Sequence, residues 1–192
     1  MTTERLTPED CAELVEVAER SIRLVVVEHR RWIPDPVEYS SALQEPRAVF
    51  VTLERHGRLM GCVGTLSATE PLVVADADRA RAAARADPRF IGIRVDDLTD
   101  LDVSVSVLST STPIAVGGYD ELVATICPSV DGVVIDAERH HATFLPTVWD
   151  DLPDPEEFVR ALWSKAGLAP RAWPTGARAS RYTAQHASRD KK

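Results

Sequence analysis

Leu59-Met60-Gly61-Cys62-Val63-Gly64-Thr65-Leu66 sets a cysteine between two glycines on a stretch that reads as a strand. His56-Gly57, just before it, supplies a turn, because glycine tolerates positive φ. On the other side of that turn, Ala48-Val49-Phe50-Val51-Thr52-Leu53 is short, apolar and β-branched, which suits a buried strand. The two runs are predicted to pair as a β-hairpin. Side chains alternate along a strand, so Met60, Cys62 and Gly64 are expected on one face and Gly61, Val63 and Thr65 on the other.

The rest of the chain supplies helices and further strands. Thr7, Pro8, Glu9 and Asp10 form a helix start: a capping residue, a proline at the first position and acids at the positive end of the dipole. Cys11, Leu14, Val15, Ala18, Ile22 and Val25 then recur at three- and four-residue steps, and Cys11 is read as a core residue of this stripe. Residues 33–47 form a proline-rich loop with a short turn around Ser41–Gln44. An alanine-rich helix is predicted from Pro71, with Thr69 or Glu70 near its cap, to the stop at Asp87-Pro88. Leu101, Val103, Val105 and Val107 alternate with Asp102, Ser104 and Ser106, the cleanest period-two signal present. One face of that strand is core; the other faces solvent or lines a cleft. Asp120 is expected to cap a short helix through Ile126, ended by Cys127-Pro128, with Cys127 structural. A second hairpin joins Val133–Ile135 to Ala142–Leu145. Asp154-Pro155-Glu156-Glu157 opens a last helix that Gly167 closes, and Tyr182 is placed on a final strand. Hairpins in place of regular βαβ alternation predict an α+β fold with mostly antiparallel sheets.

Bulk properties narrow the function classes. The net charge of −8 argues against a general nucleic-acid binder, which needs a basic field. The basic end (Arg178, Arg181, Arg189, Lys191 and Lys192) is too short to reverse this. No apolar run is long enough for a membrane span, and the polar start lacks a signal-peptide core, so a cytoplasmic location is expected. Three widely separated cysteines, Cys11, Cys62 and Cys127, with no C-x-x-C, give no disulfide framework and no zinc ribbon. No dinucleotide or Walker glycine pattern is present.

At Leu59–Leu66 the chain resembles the AMMECR domain family, called AmmeMemoRadiSam system protein A in bacteria, whose signature is roughly L-R-G-C-I-G-T. The resemblance extends in order through Glu45–Leu53, Asp87-Pro88-Arg89-Phe90, Asp102–Ser109, Val130–Ile135, Ala142–Pro146, Trp149 and Lys165–Leu168. It covers about residues 8 to 184. It implies one domain over 1–185 built as two similar lobes of antiparallel sheet and helices, with the signature strand at a cleft between them and a polar tail over 186–192. It also implies company: a Memo-type protein and a radical-SAM protein of the same system, with a small-molecule ligand as an alternative partner. Three positions depart from the family pattern. Met60 stands for the family's arginine, Ile91-Gly92 for a proline, and Thr147 for a glutamine. Met60 offers neither an anion fork nor a charge to lower a thiol pKa.

The candidate site follows. Cys62 is either a nucleophilic thiol or a small residue packed where the hairpin meets a helix. The binding set around it is Met60, Gly61, Cys62, Gly64, Thr65, Asp87, Arg89, Ser104, Ser106 and His141. Asp87 and Arg89 read first as an ion pair holding their turn and second as ligand contacts. Ser104 and Ser106 lack the G-x-S-x-G elbow of a serine hydrolase. His140 and His141 point to opposite strand faces and so cannot share a metal; His141 is retained as a partner for Cys62. No metal site and no cofactor are expected.

Overall fold

Helix α1 (Pro8–Val27) starts on the expected cap. The Thr7 hydroxyl accepts from the Asp10 N–H at 3.1 Å, and the Asp10 carboxylate accepts from the Thr7 N–H at 2.9 Å, a reciprocal capping box. The computed structural model describes residues 5–189 of the chain, so Lys191 and Lys192 of the expected basic tail lie outside the described residues. These residues divide into two units. The first runs to Leu108 and resumes at Gln185; the second spans Ser109–Ala184.

In the first unit, α1 is followed by the short α2 (Ser41–Gln44), the hairpin β1 (Val49–Arg55) and β2 (Arg58–Thr65), helix α3 (Leu72–Arg85) and strand β3 (Leu101–Leu108). His56 and Gly57 turn the hairpin with φ of 50° and 73°, the double positive φ that matches the twist of two-residue turns. The sheet has the order β2-β1-β3-β8, where β8 is Ala184–Ser188. Val49, Val51 and Leu53 of β1 lie opposite Val107, Val105 and Val103 of β3. All six are buried in a layer shared with α1 and α3. The alternation in β3 therefore reads correctly. The Ser21 hydroxyl donates to the Ala77 carbonyl at 2.6 Å and ties the two helices together.

Strand β8 corrects the expected tail. The chain was expected to end its fold at 185, but Ala184–Ser188 joins the first sheet, with Ala187 in its core. The Gln185 carboxamide accepts from the Leu6 N–H at 2.9 Å and donates to the Leu6 carbonyl at 2.8 Å, so one side chain serves as a strand partner for the start of the chain. Ala-Gln-His-Ala-Ser has no large apolar residue to announce this.

The second unit holds β4 (Thr112–Ile114), α4 (Tyr119–Thr125), the hairpin β5 (Gly132–Ala137) and β6 (His140–Phe144), α5 (Pro155–Ala166) and β7 (Arg178–Tyr182), with sheet order β4-β7-β5-β6. Trp149 stacks on Phe158 with ring centres 3.8 Å apart, and its indole N–H donates to the Asp131 carbonyl at 2.7 Å. Asp154 caps α5, and Gly167 ends it at φ 72°, as the sequence indicates. The cap of α4 is different. Gly118 holds that position, Glu121 accepts from the Gly117 N–H at 2.7 Å, and Asp120 pairs instead with Arg171. Cys127 is exposed, and its N–H donates to the Asp131 carboxylate at 2.9 Å. The strand pairs with resolved register are antiparallel in both units, and the fold class is α+β. Among the described residues no helix is long and apolar enough to cross a membrane.

One buried group opposes the first unit's stability. Asp76 on α3 is fully buried, and neither carboxylate oxygen has a hydrogen-bond partner. Burial pushes its acid well above the ordinary range. A folded-state pKa above the unfolded one gives stability that is complete below the unfolded pKa and lost as pH rises toward the folded pKa. Asp76→Leu is therefore expected to stabilise the protein at pH 7 by about 1–3 kcal/mol. The gain should shrink as pH falls toward the unfolded carboxylate pKa. Urea unfolding of both proteins across that range measures it, and a gain that grew on acidification would contradict the assignment.

Candidate functional site

Strand β2 is an edge strand, so one row of its backbone groups needs partners other than a neighbouring strand. Its register is set by the turn and then broken. Arg55 lies opposite Arg58 and Glu54 opposite Leu59, but Leu53 lies opposite Gly61. Met60 is thus the extra residue of a β-bulge. An unbroken count from the turn would put Cys62 opposite Val51, on the buried face. The bulge puts it opposite Thr52, on the other face. It also corrects the expected alternation: Met60 packs against the core of the first unit and is not on the face of Cys62.

Both flanking glycines are explained by packing. A Cβ on Gly61 would overlap the Ala83 carbonyl of α3, so Gly61 lets the helix backbone close on the strand. A Cβ on Gly64 would overlap the Phe50 ring, which covers it. Thr65 ends the strand by accepting from the Ser67 N–H at 3.0 Å.

Cys62 is held at three points. Its Sγ accepts from the Thr52 hydroxyl at 3.2 Å. Its N–H donates to Asp87 Oδ2 at 2.9 Å, and its carbonyl accepts from Arg89 Nη2 at 3.0 Å. Arg89 is in turn bidentate on Asp87, with Nε to Oδ1 at 3.0 Å and Nη2 to Oδ2 at 2.7 Å. Asp87 and Arg89 therefore form the ion pair read from the sequence, and the pair reaches further than its own turn. It supplies the acceptor and the donor that another strand would give Cys62. The hydrogen bond from Arg89 holds the Asp87 carboxyl far below the usual carboxylate range; burial opposes this, and the Cys62 N–H adds to it. The Arg89 guanidinium is raised by the same bond.

The remaining candidates separate. Ser104 lies opposite Thr52 and Ser106 opposite Phe50, so both are on the sheet face that carries Cys62. Ser106 is buried, with Oγ 3.3 Å from His186 Nδ1. His141 belongs to the second unit, where it lies opposite Asp136 with Nδ1 3.6 Å from Oδ1. His140 points elsewhere, with Nδ1 2.8 Å from the Ala166 carbonyl at the end of α5. Among the described residues no three His, Cys, Asp or Glu side chains group as metal ligands would. Thr52 and His186 are the polar neighbours that sequence reasoning missed. Thr52 is reached only once the bulge is known, and His186 only once β8 is a strand.

The AMMECR1 family model matches residues 15–187, which take in this strand, its clamp and both sheets. The chain belongs to the AMMECR1 family. A relative from Methanothermobacter thermautotrophicus is 34% identical over 169 residues, 86% of each chain. Protein TK0174 of Thermococcus kodakarensis is 35% identical over 170 residues, 83% of this chain and 80% of its own. The crystal structure of uncharacterized protein PH0010 from Pyrococcus horikoshii is similar with a TM-score of 0.87 at 30% identity, covering 94% of this chain and 92% of that one. The family is of uncharacterised function, and these AMMECR1 relatives carry locus names only.

The clamp makes a stability prediction. Asp87→Ala leaves the Cys62 N–H and the Arg89 guanidinium without their acceptor, and the expected cost is about 2 kcal/mol. This is reduced from the buried-pair range because the Arg89 side chain is 57% exposed. A folded-state pKa held down gives stability present above the unfolded pKa and lost as pH falls through the folded one. The difference between wild type and variant should stay constant from neutral pH down to the unfolded carboxylate pKa and fade in stronger acid. Chemical denaturation at neutral and acid pH checks both parts.

Proposed function

We propose that this AMMECR1-family chain is a cytoplasmic binding component of an AmmeMemoRadiSam-type system. Strand β2 and the segment 87–97 beside it form the surface that engages the Memo-type or radical-SAM partner, or a small molecule passed between them. The observation that carries this reading is the use made of the signature residues. Gly61 and Gly64 serve close packing, and the Asp87–Arg89 pair holds the backbone of Cys62, so the motif fixes the position of an edge strand. The hydrogen bond to Sγ comes from a threonine hydroxyl, which does not act as a base at neutral pH. Large apolar side chains are exposed on this strand and segment: Ile91 at 90%, with Leu59 and Val95. Arg89 ties this segment to Cys62, Ile93 bonds the Ala84 carbonyl, and Asp97 pairs with Arg55 at the turn end of the hairpin. Exposed large hydrophobics beside a rigid edge favour a docking surface over a solvated one.

The alternative is a thiol enzyme with Cys62 as nucleophile, favoured by the placement of its side chain on the polar sheet face beside Thr52, Ser104 and Ser106. Two variants separate the readings. In a binding assay with the Memo-type protein, Ile91→Asp is expected to weaken association by about tenfold or more and Cys62→Ser to leave it within twofold. The opposite pattern, together with iodoacetamide labelling of Cys62 well below the ordinary thiol pKa of roughly 8.5, would establish the thiol enzyme.

A further inference from the structure

Beside helix α1 the first unit carries an open groove of about 730 Å³ that uses no residue of β2 or of the segment 87–97. One wall is the outer face of α1, with Glu9, Asp10, Glu13 and Glu16. The other is the turn into α2, residues 40–42. The walls are fixed to each other. The Ser40 hydroxyl donates to Asp10 Oδ1 at 2.5 Å, and the other Asp10 oxygen accepts from the Thr7 N–H at 2.9 Å. Leu43, fully buried, roots α2 in the core. The groove is thus built by the fold itself.

Its charge is one-sided. Asp10 is taken up by the cap and by Ser40, but Glu9, Glu13 and Glu16 have no hydrogen-bond or ion-pair partner among the described residues. Arg5 is the one cation that lines the groove. Of the cations nearby, Arg47 acts on Asp10 and pairs with Glu45 at 3.3 Å, and Arg20, a turn beyond Glu16, lies over the Trp32 ring at 4.2 Å. Glu13, in the middle of the row, is half-buried. Its carboxyl is raised above the ordinary range by burial, then by Asp10, Glu9 and Glu16, with no positive group to offset them. The helix dipole accounts for Glu9 in the first turn but not for Glu13 and Glu16, which lie past it. Like charges three and four residues apart repel and cost helix stability, a cost that a positively charged occupant removes.

We propose that this groove docks a lysine- or arginine-bearing segment of a partner protein. Charge complementarity selects a basic occupant and rejects nucleic acids and anionic lipid surfaces. Spacing selects a chain over a single ion. Glu9, Glu13 and Glu16 follow one another along α1 at steps of four and three residues, and among the described residues no three acidic, His or Cys side chains converge as metal ligands would. The lining selects a charged segment over a small apolar molecule. Ala12 and Ala42 are the only apolar side chains in it, whereas small-molecule pockets are mostly apolar. Ammonium or guanidinium groups at matching steps along a helical segment meet the three free carboxylates in turn.

The test uses the full chain and a short fluorescein-labelled peptide with Lys on one helical face and Ala on the others. Anisotropy should show saturable binding that weakens as salt is raised. Glu13→Gln with Glu16→Gln should weaken it about tenfold or more. Asp150→Asn with Asp151→Asn removes the same charge from exposed positions of the second unit and should leave the affinity within about twofold. Side-chain NMR of Glu13 should show its titration moving to lower pH when the peptide is bound, because a nearby cation favours the carboxylate. The glutamine variants relieve repulsion and should melt no lower than wild type, which separates lost binding from lost folding. Absence of saturable binding, equal weakening by both pairs of substitutions, or an unmoved Glu13 titration would overturn the proposal. So would spermidine or calcium binding the groove as tightly as the peptide, which would assign it to a small polyamine or a metal ion instead.

Discussion

An edge strand must end its row of backbone hydrogen bonds on something other than a strand. In this protein the ending is made by two side chains, Asp87 and Arg89, that reach the N–H and the carbonyl of Cys62. Much of the first unit's detail depends on that contact. The Met60 bulge brings Cys62 into the row facing away from the buried layer, Gly61 lets α3 close to carbonyl distance, and the turn at Asp87-Pro88 carries the fork back to the strand. An ion pair that is also hydrogen-bonded to backbone avoids the cost of burying a lone carboxylate. It also blunts an edge that could otherwise pair with another chain.

The glycine-flanked cysteine looks different once its surroundings are known. In sequence, small neighbours suggest open space around a reactive sulfur. In the structure, one glycine is filled by a helix carbonyl and the other by an aromatic ring. Met60 fits the same picture, because the side chain at the bulge packs on the core. A long apolar residue is suited to that place.

The fold class, both hairpins, the alternating strand and the caps of α1 and α5 were legible because each rests on a local rule: period-two burial, a turn glycine, a capping side chain. What was not legible depends on non-local choices. The bulge at Met60 shifts register by one residue with no proline or turn signal to mark it, so the Cys62–Thr52 contact could not be counted out from the hairpin turn. Strand β8 has no hydrophobic pattern and is held by pairing beside β3 and by Gln185 on Leu6. The sequence points to Asp120 as the cap of α4, but the polar contact comes from Glu121 reaching back to Gly117, and Asp120 answers to Arg171 far along the chain. The ion pair of Asp87 and Arg89 follows from their spacing; that it holds the backbone of strand β2 does not.

The strand order carries a consequence for how the protein is made. Strands β3 and β8 are neighbours in one sheet, yet the whole second unit is threaded between them, and Ser109 and Thr183 are joined at its neck by a backbone hydrogen bond of 2.9 Å. A ribosome delivers the chain from its N-terminus, so β1, β2 and β3 emerge long before the strand that covers β3. Until residue 188 has been released, that side of the sheet is an open edge of the kind that invites aggregation. The second unit has no such debt and can close on its own strands as soon as Tyr182 is out. The order of completion is thus the reverse of the order of synthesis, and Ala184–Ser188 act as the clasp.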